Sequence, residues 1–522
     1  MDSHLTNCGP ETTGNNSVCK IKPIGEIASI VSVLKAQGKR IIYCHGEFDL
    51  MHPAHIRHLT MARNEGDILV VTLSPDKYFE GGPGRPVFNQ RLRAETLAAL
   101  QCVDFVAVNE WPSIAECIRL LKPDVYVKSR DSVDSPGPIA EDVYDEEAAL
   151  ASVGGRIHYC EDFATSSTHL LNAYFDVFPP ETSEYLQRFR QRFSANDVIG
   201  LLKSLANVRV LVVGDAILDE YFFCRPYGMA SKSSIIAAQF LNEQIYLGGA
   251  LAVANHVAGF CSNVHLVACL GEKESRKEFI EQHLKPNVST RFLFRPDAPT
   301  LIKRRYVHSF LVTKLFEVSY FNDQPLAADL DAELCESLTK VIRDYDLVLV
   351  ADFGHGFLSP KAIEIVCRMA NYLAVNAQLN SINTGYNLIT KYPRADYICI
   401  DEEEVRMACR DRYGPIEELV AKLSREMGTK LTTVTRSYRG SLTYHPDKGF
   451  VSVPVLSREV VDTMGAGDAY LSVTSPCACM GFPPEIIGFV GNAVGALAVR
   501  IIGNKESVEP PALFKFLDSL LR

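Results

Sequence analysis

Two short segments of the sequence combine ionisable side chains with residues suited to phosphate binding. The first reads G-E-F-D from Gly46 to Asp49 and continues as H-P-A-H from His52 to His55. The second reads V-D-T-M-G-A-G-D-A-Y over residues 461–470. Each precedes a stretch of helical spacing, and the free N–H groups at a helix N-terminus attract anions. Both segments are therefore candidate phosphate sites.

The histidine pair is suited to stabilise charge without forming a covalent bond. His52 and His55 flank Pro53, a residue favoured in the first turn of a helix, so we expect both at a helix N-terminus. Imidazoles there can donate hydrogen bonds to a triphosphate and to the charge that develops at the attacked α-phosphorus. The pattern is short, and two alternatives remain open. One is a chance pair on a solvated helix, and the other is a zinc site that adds His58.

The elements that must position this pair alternate between short β-branched strands and amphipathic helices. Such alternation predicts a parallel sheet with right-handed crossovers, whose ligands gather at the carboxyl ends of the strands. Lys128 ends one strand, and Ser166–Thr168 precedes a helical segment. The predicted strands are 40–44, 68–74, 103–108 and 125–128, and the predicted helices are 52–64, 89–100 and 113–121.

Residues 40–175 resemble the cytidylyltransferase-like nucleotidyltransferases, whose signature is G-x-F-D, then H-x-G-H, then a Ser/Thr-rich helix start. The resemblance implies that the histidines and Lys128 act in catalysis and hold the nucleotide phosphates, and that the Ser/Thr turn closes over the nucleotide. Ala54 replaces the family's glycine and adds a methyl group where the nucleotide approaches. The implied nucleotide-binding residues are Gly46, Phe48, Asp49, His52, His55, Lys128, Ser166, Ser167 and Thr168.

The second segment suits phosphoryl transfer to a hydroxyl group. Gly465, Ala466 and Gly467 can turn their N–H groups inward as an anion hole at the start of a helix. Asp468 follows at once, where its carboxylate can take the proton of the attacking hydroxyl. The alternative is an ordinary glycine-rich helix start with an acid in its first turn.

Residues 207–512 resemble the ribokinase-like (PfkB) sugar kinases, both in this glycine segment and at the other positions named below. The resemblance implies that Asp468 is the catalytic base and that Gly465–Gly467 is the anion hole. The implied sugar-binding residues are Asp215, Asp219, Gly248, Gly249, Lys303 and Arg305. The implied ATP-binding residues are Thr435, Arg436, Gly440, Gly465, Gly467 and Asn492, and the implied Mg²⁺ ligands are Asp401 and Glu404.

Some positions depart from the kinase pattern. Ala252 stands where an asparagine is usual, Asn376–Gln378 replaces Asp-Pro-Lys, and Asp401 replaces the asparagine of Asn-x-x-Glu. Two alternatives remain open at this point. Lys303 and Arg305 could be solvated strand charges, and the acidic run at 401–404 could be a solvated surface.

Length and composition limit the protein class. The chain has 522 residues, 47% of them hydrophobic, and a net charge of −10. This favours a globular protein of about two to four domains and disfavours a nucleic-acid binder. Fifteen scattered cysteines, a polar first segment and apolar runs too short for a bilayer predict a cytoplasmic protein with reduced thiols. The predicted division is a mobile tail 1–20, a transferase domain 21–178, a linker 179–200 and a kinase domain 201–522.

The sequence thus predicts a two-domain α/β enzyme with a Rossmann-like nucleotidyltransferase followed by a ribokinase-like sugar kinase. The two halves resemble bifunctional heptose kinase/adenylyltransferases, although those usually carry the kinase first. The predicted substrates are a sugar phosphate and nucleoside triphosphates (ATP for the kinase, ATP or CTP for the transferase) with Mg²⁺. Neither nucleic acid nor membrane is expected as a partner, and a homodimer through the kinase domain is a possible assembly. Two alternatives remain: an alditol or amino-alcohol phosphate cytidylyltransferase fused to an unrelated sugar kinase, and a catalytically impaired regulatory protein.

Overall fold

The computed structural model describes residues 18–78, 86–111, 113–129, 139–160, 178–230, 233–380, 383–457 and 459–521. The chain divides between residues 177 and 178 into two compact units, each with its own sheet and core. In these described ranges, no helix combines the length and the apolar character that crossing a membrane requires. Most of the predicted tail lies outside them, and residues 18–20 form a short 3₁₀ helix.

The first unit is an α/β sandwich. Its strands are β1 (Ile41–Gly46), β2 (Ile68–Leu73), β3 (Phe105–Val108), β4 (Val125–Ser129) and β5 (Arg156–Cys160). Its helices are α1 (Ile24–Ala36), α2 (Pro53–Arg63), α3 (Gln90–Ala98), α4 (Ala115–Leu121) and α5 (Ile139–Ser152). The strands pair in parallel in the order β3-β2-β1-β4-β5, which confirms the predicted sheet.

The strand order locates the first candidate site. Residues 41–44 of β1 are fully buried, because apolar cores cover both faces of the sheet. From β1 the sheet extends first through β2 and β3 on one side and then through β4 and β5 on the other. Ligands bind at the carboxyl ends of strands where the order reverses in this way. Gly46 ends β1, and Lys128 is the penultimate residue of β4.

The second unit contains the remaining strands and helices. Its strands are β6 (Arg209–Gly214), β7 (Ala216–Met229), β8 (Ile236–Gly249), β9 (Asn263–Lys273), β10 (Val288–Pro299), β11 (Leu301–His308), β12 (Lys314–Tyr320), β13 (Leu347–Asp352), β14 (Leu373–Ala377), β15 (Tyr397–Asp401), β16 (Leu431–Thr435), β17 (Ser441–His445) and β18 (Gly449–Val453). Its helices are α6 (Pro180–Arg190), α7 (Ala195–Ser204), α8 (Ala250–Phe260), α9 (Lys277–His283), α10 (Ala328–Val341), α11 (Pro360–Met369), α12 (Glu402–Cys409), α13 (Ile416–Met427), α14 (Ala466–Cys479), α15 (Pro484–Ala498) and α16 (Pro510–Leu521).

The main sheet of this unit has nine strands in the order β10-β9-β6-β13-β14-β15-β16-β17-β18. Pairing is parallel from β10 to β16 and antiparallel for the last two strands. β13 is buried along its whole length between two apolar cores, which explains its continuous apolar sequence. The carboxyl ends of β6 and β13 neighbour each other, so the residues that follow these strands lie close together.

A second sheet of four strands, in the order β12-β11-β7-β8, was not predicted from the sequence. β7 and β8 form a long antiparallel pair, and β11 pairs in parallel with β7. Most of β8 is exposed, so its sequence lacks the alternation that marks a half-buried strand. This sheet carries Asp219 on β7, and Lys303 and Arg305 on β11.

The segment 179–200, predicted as a linker, is instead part of the second unit. It forms α6, whose Leu186 and Phe189 are buried in that unit's core, and the first half of α7. Arg190 donates two hydrogen bonds to the carbonyl of Leu520, at 2.7 and 3.1 Å. The polar character that suggested a linker belongs to the outer faces of two amphipathic helices.

Candidate active sites

The glycine turn of the second unit starts α14. Gly465 has a φ of +79°, a conformation that glycine adopts without strain. A Cβ atom at this position would lie 1.9 Å from Oδ1 of Asn504, so a side chain there would also require the Asn504 side chain to move. The helix begins at Ala466 and places Asp468 in its first turn. The predicted anion-hole residues therefore do stand at a helix N-terminus.

Asp468 has the electrostatic surroundings of a base. Burial, together with the nearby charge of Asp219, raises the pKa of Asp468 to about 7, and the positive charge of Lys303 opposes that rise. A group that titrates near neutral pH is well matched to accept a proton from a hydroxyl. Asp468, Asp219 and Lys303 come from α14, β7 and β11, so residues far apart in sequence converge at this point.

The predicted sugar-binding acids and glycines are adjacent in space. A Cβ on Gly248 would lie 2.3 Å from Oδ2 of Asp219, and one on Gly249 would lie 2.5 Å from the carbonyl of Asp215. Gly249 has a φ of +55° and immediately precedes α8, as the sequence predicted. The paired glycines thus allow the start of α8 to approach the two acids closely.

Lys303 and Arg305 are buried, so they are not solvated strand charges. Lys303 is 9% exposed and Arg305 4% exposed. The guanidinium of Arg305 donates to Asp219 and lies 2.9 Å from the carboxylate of Glu317. The ammonium of Lys303 lies 5.6 Å from the ring centre of Phe353. Two cations thus lie beside the acids, which gives the site a charge arrangement suited to an anionic sugar.

A second buried acid lies next to Asp215 and was missed by the sequence analysis. Asp352 ends β13, and its Oδ2 lies 2.5 Å from both the Lys391 ammonium and the Tyr392 hydroxyl. Asp215 accepts a hydrogen bond from the backbone of Phe353 at 2.8 Å. Burial and the charge of Asp352 raise the pKa of Asp215. The signal in the sequence was the acid at the end of the strongest apolar strand, followed by a Gly-x-Gly turn.

An ion pair between the four-stranded sheet and the glycine turn was missed as well. The ammonium of Lys314, at the start of β12, lies 2.5 Å from Oδ1 of Asp462. The Oδ2 of Asp462 accepts hydrogen bonds from the Tyr221 hydroxyl and the Gly503 amide, both at 3.0 Å. Asp462 lies three residues before Gly465, so this cluster connects the glycine turn to β12 and to β7, which carries the predicted sugar-binding residue Asp219.

The predicted metal ligands form a helix cap. Asp401 and Glu404 exchange hydrogen bonds with each other's backbone amides at 2.8 Å, and Glu404 also accepts from Leu379 at 2.8 Å. Burial and the charge of Asp401 raise the pKa of Glu404. Glu402 is also buried and pairs with three arginines, whereas Asp401 and Glu403 are exposed, so the solvated-surface alternative fails for Glu402 and Glu404 only.

Apart from Gly465 and Gly467, which lie at the start of α14, the predicted ATP-binding residues of the second unit occupy two places. Thr435 ends β16, and Gly440, with a φ of +80°, closes the turn into β17. Arg436 donates to Glu402 at 2.9 Å. Asn492 of α15 is buried and donates to the Ser441 hydroxyl at 2.6 Å, so it joins this helix to β17. The structure thus gathers them at the β16–β17 turn and the adjoining face of α15.

In the first unit, the histidine pair lies where the sequence predicted. His52 is the N-cap of α2, and its ring centre lies 3.9 Å from that of His55. Phe48 has a φ of +49° and packs edge-on against His55 at 5.4 Å. Burial lowers the pKa of His52, and burial with the neighbouring histidine charges lowers that of His55 to about 4. Both rings are neutral at pH 7 and can act as hydrogen-bonding groups.

The zinc alternative finds no support. Across the described ranges, no group of three or more His, Cys, Asp or Glu side chains is arranged to hold a metal ion. His58 lies on the same helix as the pair. We therefore treat His52 and His55 as phosphate-binding candidates.

The other predicted nucleotide-binding residues have structural partners or lie outside the description. Asp49 accepts hydrogen bonds from the backbone amides of Val87 and Phe88, both at 3.0 Å. Lys128 pairs with Glu146 at 2.7 Å, and each side chain is 12% exposed. Ser166, Ser167 and Thr168 lie outside the described residues. Gly46 ends β1 beside Phe48, whose ring a Cβ would approach to 3.0 Å.

Comparisons with known proteins agree with both halves. Residues 208–510 match the pfkB family carbohydrate kinases, and residues 43–171 match the cytidylyltransferase-like proteins. The bifunctional protein HldE of Trichlorobacter lovleyi is 26% identical over 314 residues, 59% of this chain and 62% of that protein. HldE of Geobacter sulfurreducens is 38% identical over 141 residues, which cover 26% of this chain and 27% of that protein.

These alignments span less than two thirds of the relatives' length. Among solved structures, phosphofructokinase-2 from Escherichia coli in complex with potassium is similar to 60% of this chain over its whole length, with a TM-score of 0.50 at 13% identity. That likeness concerns the fold. The carbohydrate-kinase match covers more than half of the chain. The chain therefore belongs to the pfkB family of carbohydrate kinases and carries a cytidylyltransferase-like Rossmann domain before the kinase fold.

Proposed function

We propose that the protein is a bifunctional enzyme of nucleotide-sugar synthesis. Its kinase transfers the γ-phosphoryl group of ATP to a hydroxyl of a sugar phosphate similar to heptose 7-phosphate. Its transferase joins a sugar 1-phosphate to the nucleotide of ATP or CTP and releases pyrophosphate. The observation that carries the proposal is the convergence of Asp468, Asp219 and Lys303 beside the glycine turn.

In the kinase, the proposed acceptor hydroxyl lies between Asp468 and the glycine turn. Asp468 takes the hydroxyl proton as the oxygen bonds to the γ-phosphorus and the bond to the β-phosphate oxygen breaks. The N–H groups of Gly465–Gly467 hold the transferring group, which is catalysis by positioning and charge stabilisation. Asp215 and Asp219 bind sugar hydroxyls, and Lys303 and Arg305 neutralise the phosphate that the sugar already carries.

Oxygen-rich side chains near α12 fit a magnesium ion accompanying ATP. The amide oxygens of Asn376 and Gln378 are buried without a hydrogen-bond partner among the described residues. Gln378 precedes Leu379, whose amide bonds to Glu404. Mg²⁺ takes carboxylate and carbonyl oxygens, so Asp401 and Glu404 are its proposed protein ligands. When bound, the ion neutralises charge on the nucleotide phosphates.

In the transferase, a sugar 1-phosphate oxygen attacks the α-phosphorus and pyrophosphate leaves. His52 and His55 donate hydrogen bonds to the phosphate oxygens, which is consistent with neutral rings at a helix N-terminus. Lys128, Ser166, Ser167 and Thr168 are proposed to complete the nucleotide site.

A ³¹P NMR product survey tests the proposal. The purified protein is incubated with Mg²⁺, ATP or CTP, and a panel of sugar phosphates that includes heptose 7-phosphate and heptose 1-phosphate. A new sugar bisphosphate signal supports the kinase, and a diphosphodiester with free pyrophosphate supports the transferase. Absence of both products from a folded, nucleotide-binding protein would contradict the proposal.

One observation favours a second candidate for the N-terminal unit. The charge of Lys128, implied to contact phosphate, is already satisfied by Glu146. A unit that binds nucleotide as a regulator of the kinase would fit this pairing. Ligand-induced stabilisation by CTP or ATP without pyrophosphate release would favour this reading.

A further inference from the structure

The loop after β13 holds a histidine in a fixed, buried position. The loop reads F-G-H-G-F from Phe353 to Phe357, and its central residue, His355, is 5% exposed. Gly354 and Gly356 have φ values of +70° and +81°, a region that favours glycine. A Cβ on Gly356 would lie 2.3 Å from the Gln324 carbonyl. These two glycines therefore set the path that buries His355.

The buried imidazole has an unused hydrogen-bonding nitrogen. Among the described residues, Nε2 of His355 has no hydrogen-bond partner. The ring packs edge-on against Phe321 at 5.2 Å. Burial and the charge of Lys303 lower the pKa of His355 to about 4, while Asp323 and Asp352 oppose the shift. The ring is therefore neutral at pH 7, and an unpartnered buried polar atom is costly unless water or a ligand satisfies it.

His355 lies on the wall of a cavity that it shares with Asp215. The cavity has a volume of about 30 Å³, enough for one or two groups of water size but not for a sugar ring. Other polar side chains on its wall are already engaged. Arg295 donates to Asp297 and to the Asn322 carbonyl, and Thr300 donates to the Ser275 carbonyl.

Two residues, Lys303 and Asp215, link the cavity to the proposed sugar site. Lys303 acts electrostatically on His355 and also on Asp468. Asp215, proposed to bind a sugar hydroxyl, receives the Phe353 amide from the loop that carries His355. A hydroxyl or hydroxymethyl group of the acceptor is the chemical class that fits both the volume and the two polar partners.

We propose that His355 is a substrate-binding residue of the kinase, whose Nε2 forms a hydrogen bond with one hydroxyl of the acceptor sugar in the cavity shared with Asp215. The inference rests on the proposed kinase function and adds to it a specificity-determining contact. It places one hydroxyl of the sugar apart from the hydroxyl that is phosphorylated near Asp468.

The test compares His355→Leu and His355→Gln with the wild type, using heptose 7-phosphate and its monodeoxy analogues as acceptors. Loss of a hydrogen bond to a neutral group predicts that His355→Leu raises the KM for heptose 7-phosphate about tenfold. The kcat and the KM for ATP should change little. His355→Gln retains a hydrogen-bonding amide and should restore part of the affinity.

The monodeoxy analogues give a readout that a structural role would not move. The wild type should have a raised KM for the one analogue that lacks the bound hydroxyl. In His355→Leu, the KM for that analogue and the KM for heptose 7-phosphate should become similar, while the relative KM values of the other analogues stay as in the wild type. His256→Gln is the matched control: His256 is 3% exposed, but its Nδ1 accepts the Val508 amide at 3.2 Å. It should lower the melting temperature and leave the KM unchanged.

The possible failures are distinguishable. If the wild type phosphorylates heptose 7-phosphate and both His355 variants keep its KM and its discrimination, the inference is wrong and the proposed function stands. If the folded wild type phosphorylates no sugar phosphate, the proposed kinase function is wrong and the inference falls with it. Should His355→Leu not fold, His355→Phe takes its place in the same comparison, because it keeps a ring in the loop but has no hydrogen-bonding nitrogen, and an unchanged KM and discrimination in that variant would overturn the inference.

Discussion

The two candidate sites use ionisable groups in different ways. In the second unit, buried opposite charges lie side by side, as with Arg305 and Asp219, and Asp468 titrates near neutral pH. In the first unit, His55 has a pKa of about 4 and is neutral. Lys128 is paired with Glu146. Under the proposed function, this difference corresponds to proton transfer at one site and hydrogen bonding to phosphate at the other.

The largest effect is expected from Asp468→Asn. The substitution keeps the shape of the side chain and removes the base, so the rate of sugar phosphorylation should fall by about 10²-fold or more. Nucleotidyl transfer should be unchanged, because the other site lies in a separate unit. Both activities are measured on the same preparation. Loss of both in a folded variant would contradict two independent sites.

The kinase and transferase activities should depend on pH in different ways. Asp468 must be ionised to accept a proton, and its pKa of about 7 lies above the ordinary value for an aspartate. The kinase kcat/KM should therefore rise with pH and reach half its maximum near pH 7. The neutral histidines should give the transferase no corresponding step. A kinase profile already flat from pH 5 upward would show that Asp468 is not the base.

Removing the histidines should abolish most of the transferase activity. Loss of one strong donor to the transition state costs about 10²–10³-fold in rate, so the double variant His52→Ala with His55→Ala should lose at least that factor. Pyrophosphate release measures it, and kinase activity serves as the internal control. His58→Ala should leave the transferase largely unchanged. An equal loss of transferase activity in His58→Ala would instead support a zinc site that includes His58.

Local patterns were sufficient to predict the strands β1 to β4 of the first unit, the glycine turn and the histidine pair. Each of these depends on residues adjacent in sequence, such as Gly465 with Asp468. The missed features depend on pairs far apart: Lys314 with Asp462, and Asp352 with Lys391. No periodicity marks such pairs, because only the folded chain brings them together. The mainly exposed β8 likewise has no apolar pattern to reveal the four-stranded sheet.

A moderate effect on the kinase alone is expected from Lys314→Ala. It leaves the buried Asp462 carboxylate without its cation and loosens the connection between β12 and the glycine turn. A hydrogen bond between charged groups contributes about 1.5–3 kcal/mol, and the Lys314 side chain is one-third exposed, so we expect the lower part of that range. The kinase kcat should fall about tenfold if that free energy is lost from the transition state.

Two variants separate positioning from general destabilisation. Lys314→Arg keeps a cation near Asp462 and should restore most of the kcat. Lys340→Ala removes an exposed i,i+4 pair with Glu336 in the same unit and should change neither activity. If Lys314→Ala lowers the melting temperature but leaves kcat intact, the ion pair only stabilises the fold.

The smallest expected effect, on nucleotide affinity of the transferase, comes from Glu146→Gln. In the wild type, the Glu146 carboxylate forms an ion pair with the Lys128 ammonium at 2.7 Å, and both side chains are largely buried. Removing the acid leaves a buried cation unpaired, which destabilises the free protein, and an anionic nucleotide would then supply the missing charge. We expect a lower melting temperature without ligand, a larger stabilisation by nucleotide and a KM for the nucleotide lowered several-fold. Glu147→Gln, at the exposed neighbouring position, is the matched control and should show none of these changes. A raised KM would instead mean that Glu146 holds Lys128 in its phosphate-binding position, and the ion pair would then be part of an active transferase site.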